Sequence, residues 1–238
     1  MLQLNANMLE LLAADPQKFQ QFEPQFLLTP SNLVEEQKDI ERFRLVLQQL
    51  LLRLPVELLL QADPKIANWV NQVLPIMSIP ARTKQVNAWR QRLIQGALII
   101  AQYDLLILGD EKAIAVNWRS ERNISPLGQL ENSWEAQLQL FLLAETEDIL
   151  PNNVSLIYCF FDSGKSPTLY QFSYKQEKHY AFKQRLEIAL SNLPNNSIDN
   201  SEYSFHQPID EARLNLQRFL DGKMTTHEYL ESIPEVEI

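Results

Sequence analysis

Cysteine is almost missing from this chain of 238 residues. Cys159 is the only one, so no disulfide framework and no cluster of cysteine ligands can be built from this sequence. Cys159 lies inside the apolar run Val154 to Phe161, where it reads as a small core side chain. Glycine is scarce, with five residues, which argues against an all-β protein, and leucine and glutamine are frequent, which favours a helix-rich globular one. Histidine is also scarce. His179, His206 and His227 have no metal-ligand spacing and read as surface residues. No apolar run is long enough for a bilayer span, and the N-terminus has no basic region followed by an apolar stretch. A cytoplasmic protein without a membrane partner is the expectation.

Basic charge is in deficit as well. The formal net charge of -9 repels a polyanion overall. One stretch departs from that balance: residues 80–102 contain no acid but carry Arg82, Lys84, Arg90 and Arg92, with Trp89 among them. Such a strip is either a solvated face or a phosphate-facing surface, the candidate nucleic-acid contact of this chain.

What is present is a patterned α/β chain. Apolar residues run from Ala97 to Leu108, Gly109-Asp110-Glu111-Lys112 supplies a turn, and a second apolar run covers Ala113 to Trp118. This predicts a hairpin with Gly109 free to take a positive φ. It sets Asp104 opposite Asn117, with Arg119 two residues further on the face of Asn117. Asp110-X-Lys112 reads as a solvated hairpin tip.

Before the hairpin the pattern is helical. Asn5 or Asn7 caps a short helix through Leu12 after an extended start at Leu2 and Leu4, and Asp15-Pro16 opens another. Ile40, Phe43, Leu47, Leu50, Leu51 and Leu54 recur at helical spacing over Glu35 to Arg53. Pro55 and Asp63-Pro64 start two more helices, the second with Ile66, Trp69, Val70 and Val73 on one side, and Pro75 to Pro80 reads as a connector. After the hairpin, Glu121 to Asn132 reads as loop, and Asn132 or Ser133 caps a helix from Trp134 to Thr146. Its buried face is Trp134, Leu138, Phe141 and Leu142. Val154 to Phe161 reads as a buried strand and Thr168 to Tyr174 as an edge strand, with Gln176 to Leu193 helical. The Gly164-Lys165-Ser166 triplet between those strands lacks the upstream glycine of a phosphate loop. Residues 194–208 are polar, and Ile209 to Leu220 and Thr225 to Ser232 end the chain as helices.

The pair of strands carrying Asp104 and then Asn117-Trp118-Arg119-Ser120 resembles the core of the PD-(D/E)XK nucleases, in particular their RecB-like branch. There the first strand bears Asp and the second (Asp/Glu)-X-Lys, often as Asp-Trp-Lys-Thr, as in short RecB-like proteins of cyanobacteria. Ala14-Asp15-Pro16-Gln17-Lys18-Phe19 resembles the family's early Cys-Pro-X-Lys-Phe phrase with Asp15 in place of Cys, so no iron-sulfur cluster is implied. Arg44 falls where the branch commonly has a metal-binding His, and reads as a surface arginine. Gln137-Leu138-Gln139-Leu140-Phe141 is similar to its Gln-Leu-X-X-Tyr motif.

The resemblance implies an α/β fold of restriction-endonuclease type, a central mixed β-sheet flanked by helices under a helical N-terminal cover. One domain spans 1–238: 1–80 helical, 81–176 the sheet core, 177–238 C-terminal helices. It also implies vestigial site positions at Asp104, Asn117, Arg119 and Gln137, with Asp104 the one metal ligand left. Phosphodiester hydrolysis of this type needs Mg²⁺ held by carboxylates. Here Asn117 and Arg119 replace an acid and a lysine, and an Asp104 to Arg119 ion pair is expected in the old metal seat. The expected protein is an inactive nuclease-like module that associates with DNA or with a protein partner of a repair or helicase-nuclease system, and it needs no cofactor. The rivals are an active Mg²⁺-dependent nuclease with migrated ligands, Glu135 or Glu145 being the candidates, and a pure protein-interaction module.

Overall fold

The computed structural model describes residues 2–21, 35–119, 126–161 and 167–193. The expected helices Ile209 to Leu220 and Thr225 to Ser232, the polar stretch 194–208, His206, His227, the Gly164-Lys165-Ser166 triplet and Ser120 lie outside the described residues.

The chain forms a mixed α/β fold in which a mixed six-stranded sheet is flanked by helices. A short strand β1 (Gln3–Leu4) precedes helices α1 (Ala6–Ala14), α2 (Pro16–Gln21), α3 (Glu35–Leu51), α4 (Glu57–Ala62) and α5 (Pro64–Met77). Strands β2 (Thr83–Ile94), β3 (Ala97–Leu108) and β4 (Ala113–Arg119) follow, then α6 (Leu127–Asn132), α7 (Trp134–Glu147), β5 (Val154–Phe160), β6 (Thr168–Ser173) and α8 (Gln176–Ser191).

Local chemistry sets several boundaries. Asn5 and Asp63 accept hydrogen bonds from the N–H groups of Met8 and Ile66, Asp15 from that of Lys18, and the Ser133 hydroxyl from that of Ala136. Two boundaries differ from the sequence pattern. Pro75 lies inside α5 rather than in a connector, and residues 127–132 form the short helix α6 rather than a loop. The β2–β3 hairpin turns on two residues between Ile94 and Ala97, with Gln95 at φ 49° and Gly96 at φ 81°. Positive φ therefore falls at this turn and not at Gly109, whose N–H instead bonds the Lys112 carbonyl at 2.8 Å.

β3 organises the sheet. It pairs antiparallel with β2 along its length, antiparallel with β4 from Leu105 to Leu108, and parallel with β1 at Leu98 and Ile99. β4 pairs parallel with β5 across the α6–α7 connection, and β6 closes the far edge antiparallel to β5.

Each face of the sheet has its own core. On one, α1, α7 and α8 pack on Tyr103, Leu106, Ala115, Tyr158 and Phe160. On the other, α3 and α5 pack on Leu105, Ile107, Val116, Trp118, Cys159 and Phe161. Phe43, Trp69, Trp118 and Phe161 form its aromatic centre, so Trp69 and Cys159 are core residues, as their apolar surroundings predict. α7 is buried nearly all round from Trp134 to Ala144, more than the one-sided face that its spacing predicts.

Candidate functional site

The alternation of β3 changes step at Asp104. Ile99, Ala101 and Tyr103 belong to the α7-side core, but beyond Asp104 it is Leu106 and Leu108 that do, while Leu105 and Ile107 face α3. The neighbouring strand shows why. Asn87, which stands opposite Asp104, is the one position where the β2–β3 register skips a pair, and it takes a left-handed φ of 48° that asparagine tolerates. On the other flank the β3–β4 ladder stops at Leu105 and Val116, one residue short of Asp104 and Asn117. The strands are thus split where the sequence places its polar pair.

Asp104 fills that split. Its Oδ2 accepts the Trp118 N–H at 2.7 Å, giving the β4 backbone the partner it lacks from β3. Arg44, reaching in from α3, donates Nε–H to Oδ1 at 2.8 Å and a weaker Nη2–H to Oδ2 at 3.4 Å. Nη2 also donates to the Trp118 carbonyl at 3.3 Å, so the ion pair satisfies both backbone groups of Trp118. A second acid, Glu41, one turn away on α3, bonds Arg44 Nη1 from the solvent side. Burial pushes the Asp104 carboxyl above its ordinary range, and Arg44 and the Trp118 amide pull it only part of the way back.

Asn117 and Arg119 point to the α7 face. Asn117 donates to Gln139 Oε1 at 2.7 Å, and Gln139 Nε2 donates to the Gln102 carbonyl at 2.8 Å, while the Tyr103 hydroxyl donates to the Gln139 carbonyl at 2.8 Å. Arg119 bonds Glu135 and lies 5.4 Å from the Tyr158 ring centre. Burial works against the Arg119 charge, but Glu135, Tyr158 and Asp104 outweigh it and raise its pKa.

These groups line one cavity of about 460 Å³, bounded by α3, β2, β3, β4 and the start of α7. Asp104, Asn117 and Arg119 all line it, but Asp104 turns toward α3 while Asn117 and Arg119 turn toward α7, so they do not share the one face that strand alternation predicts. The expected Asp104 to Arg119 ion pair is not formed: Asp104 is taken by Arg44 and Arg119 by Glu135. Arg44 is therefore no idle surface arginine. Gln137 is displaced from the site, its amide donating to the Glu131 carbonyl at 2.6 Å, and Gln139 holds the position instead. Glu135 and Gln139 are four residues apart and share a helix face, whereas Gln137 sits between them on another. That spacing is the signal that identifies Gln139.

No protein-family model matches the sequence, and the curated proteins contain no match to it. Among solved structures, a candidate exonuclease from Eubacterium rectale is similar at 7% identity and a TM-score of 0.45, covering 98% of this chain and 90% of its own. The crystal structure of SSO0001 is similar at 10% identity and a TM-score of 0.35, covering 82% and 78%. Likeness this faint carries no weight about function. The residues must.

The donor set does not fit Mg²⁺. A hard dication wants several carboxylate or water oxygens, and here one carboxylate is already bonded on both oxygens by a guanidinium, Asn117 is neutral, and Glu135 is held by Arg119. Among the described residues no three His, Cys, Asp or Glu side chains are gathered for a metal. Glu145, the other candidate migrated ligand, lies outside this cavity and bonds Arg92 and His179.

The basic strip is largely engaged within the fold. Arg90 bonds Glu147 at 2.6 Å, Arg92 bonds Glu145, and Lys84 bonds the Met77 carbonyl, while Arg82 is exposed. Alternation explains this: Arg90 and Arg92 share the α7 face with Ala88, where acids of α7 await them. His179 is also not a surface residue. It is buried, stacked on Phe141, and its Nε2 lies 3.0 Å from Glu145.

Proposed function

We propose that this chain is a PD-(D/E)XK fold of RecB-like pattern whose cation seat is closed by arginine, and that it serves as a non-cleaving module associated with nucleic acid. One observation carries this reading: the Arg44 guanidinium lies on both oxygens of Asp104, the only family carboxylate left. Support comes also from the order of elements, with Asp104 on one strand, Asn117-X-Arg119 on the next and the glutamine helix α7 following. A fixed positive charge occupying the carboxylate removes both the ligand and the electrostatic attraction that a divalent ion needs. Without that ion the water nucleophile and the departing oxygen both lose their stabilisation.

The partner system we favour is one that handles DNA ends or strands, with the module contributing binding rather than chemistry. No helix among the described residues is long and apolar enough to cross a membrane. The test is direct. Purified chain incubated with single- and double-stranded DNA and Mg²⁺ or Mn²⁺ is expected to leave both intact; cleavage that disappears in Asp104→Ala overturns the reading. A triple change of Arg44→His, Asn117→Asp and Arg119→Lys is expected to gain Mg²⁺ binding by calorimetry, and Asn117→Asp with Arg119→Lys alone is not, because Arg44 still covers Asp104.

A further inference from the structure

Three carboxylates and two guanidiniums line the cavity, and their arrangement repeats. Each arginine has one inner support and one outer acid. For Arg44 the inner support is Asp104, whose side chain is 15% exposed, and the outer acid is Glu41, 55% exposed. For Arg119 the inner support is the buried Tyr158 ring, and the outer acid is Glu135, 43% exposed. Exposed ion pairs of this kind are weak, because water solvates the released carboxylate nearly as well. The inner contacts, by contrast, fix where the guanidiniums sit.

We propose, resting on the nucleic-acid reading above, that the cavity seats a phosphate of a nucleic-acid strand between Arg44 and Arg119 without any metal ion, Glu41 and Glu135 turning out to solvent as it enters. Guanidinium N–H groups pair with phosphate oxygens: Arg119 offers its outer edge once Glu135 leaves, and Arg44, whose Nε and Nη2 are committed to Asp104 and the Trp118 carbonyl, offers Nη1 in place of Glu41. A volume of about 460 Å³ suits a single nucleotide-sized group and not a packed protein surface. Glu41 and Glu135 act as built-in competitors of the phosphate, so this seat binds weakly at rest, in keeping with a chain of net charge -9.

The competitor role yields an opposite-sign test. Anisotropy of a labelled single-stranded DNA oligonucleotide is followed at low salt with a chelator present, using the full chain. Arg119→Gln is expected to weaken binding and to lower the salt slope by about one. Glu135→Gln, and further Glu41→Gln, are expected to tighten it severalfold, and inorganic phosphate to compete. Arg119→Gln is chosen over Arg44→Gln because it leaves Asp104 paired, and circular dichroism checks that the fold is kept. DNA binding that ignores Arg119→Gln and Glu135→Gln overturns this seat while leaving nucleic-acid association standing. No binding by any of these proteins, the Glu-to-Gln variants included, overturns both.

Discussion

Arg44→Gln isolates what the ion pair contributes. The change leaves Asp104, with its side chain 15% exposed, without its cation and with only the Trp118 N–H as partner, and takes a donor from the Trp118 carbonyl. Breaking a fully buried pair by removing one member costs about 3–5 kcal/mol. Because the Arg44 side chain is 36% exposed and water can reach the vacated space, a loss of about 1–3 kcal/mol at neutral pH is expected. The pH dependence identifies the cause. Asp104 already has a folded-state pKa above its ordinary 3.8, and without Arg44 that value rises further. A carboxyl with a raised folded pKa favours the folded state in its protonated form, so its contribution is present below 3.8 and is lost as pH climbs through the folded value. Each unit of additional rise adds about 1.4 kcal/mol to the neutral-pH penalty and nothing once Asp104 is protonated in both proteins. Urea melts of both chains at pH 7.5 and near pH 5 should show the gap narrowing on acidification. An equal gap at both pH values, or a difference below about 0.5 kcal/mol at pH 7.5, refutes the claim that Arg44 neutralises a buried Asp104.

Three further outcomes follow from other parts of the fold. Phe43 is fully buried and touches the rings of Trp69, Trp118 and Phe161, so Phe43→Ala should cost about 3–5 kcal/mol in urea melts, a large part of a domain's stability. His179 has its pKa lowered from 6.5, first by burial, against the raising effect of Glu145. The unfolded chain therefore takes up its proton first, and stability should fall as pH drops from 6.5 toward the folded value, a slope that His179→Phe should flatten in melts between pH 7.5 and 5. Gln95 holds a left-handed φ in the β2–β3 turn, so Gln95→Asn should raise stability by about 0.5–1 kcal/mol, read as an increase in Tm.

The elements were legible wherever the determinant is local. Asn5, Asp15, Asp63 and Ser133 cap helices because each needs only its own next three residues, and the β3–β4 hairpin follows from two apolar runs around a polar turn. The misplaced pieces had weak local signals that packing overrode. Residues 127–132 contain Gly128 and follow Pro126, both turn residues, yet form a helix beside α7. Pro75 is tolerated within α5 two residues before its end, where the turn it interrupts is the last. Gln95-Gly96 is a poor match to the Asn-Gly that marks a two-residue hairpin, so the turn leaves little trace in the sequence.

The site was legible as positions and not as partners. Asp104, Asn117 and Arg119 could be grouped because strand periodicity alone sets them at the same level of neighbouring strands. Which charge meets which depended on a step change in β3 that no pattern announces: with strict alternation Asp104 would share a face with Asn117 and Arg119, and the pair between Asp104 and Arg119 would be the natural one. The left-handed Asn87 and the split beyond Leu105 turn the carboxylate toward α3 instead, where Arg44, sixty residues earlier, is the cation within reach. The same split leaves the Trp118 N–H and carbonyl without a strand to bond. It follows that the pair does two jobs an apolar replacement could not: it neutralises a buried charge and completes the backbone bonding of β4. Asp104→Leu with Arg44→Leu should therefore remain destabilised at every pH, by the cost of two unsatisfied backbone groups, even though no buried charge is left unpaired and the released Glu41 is exposed to water.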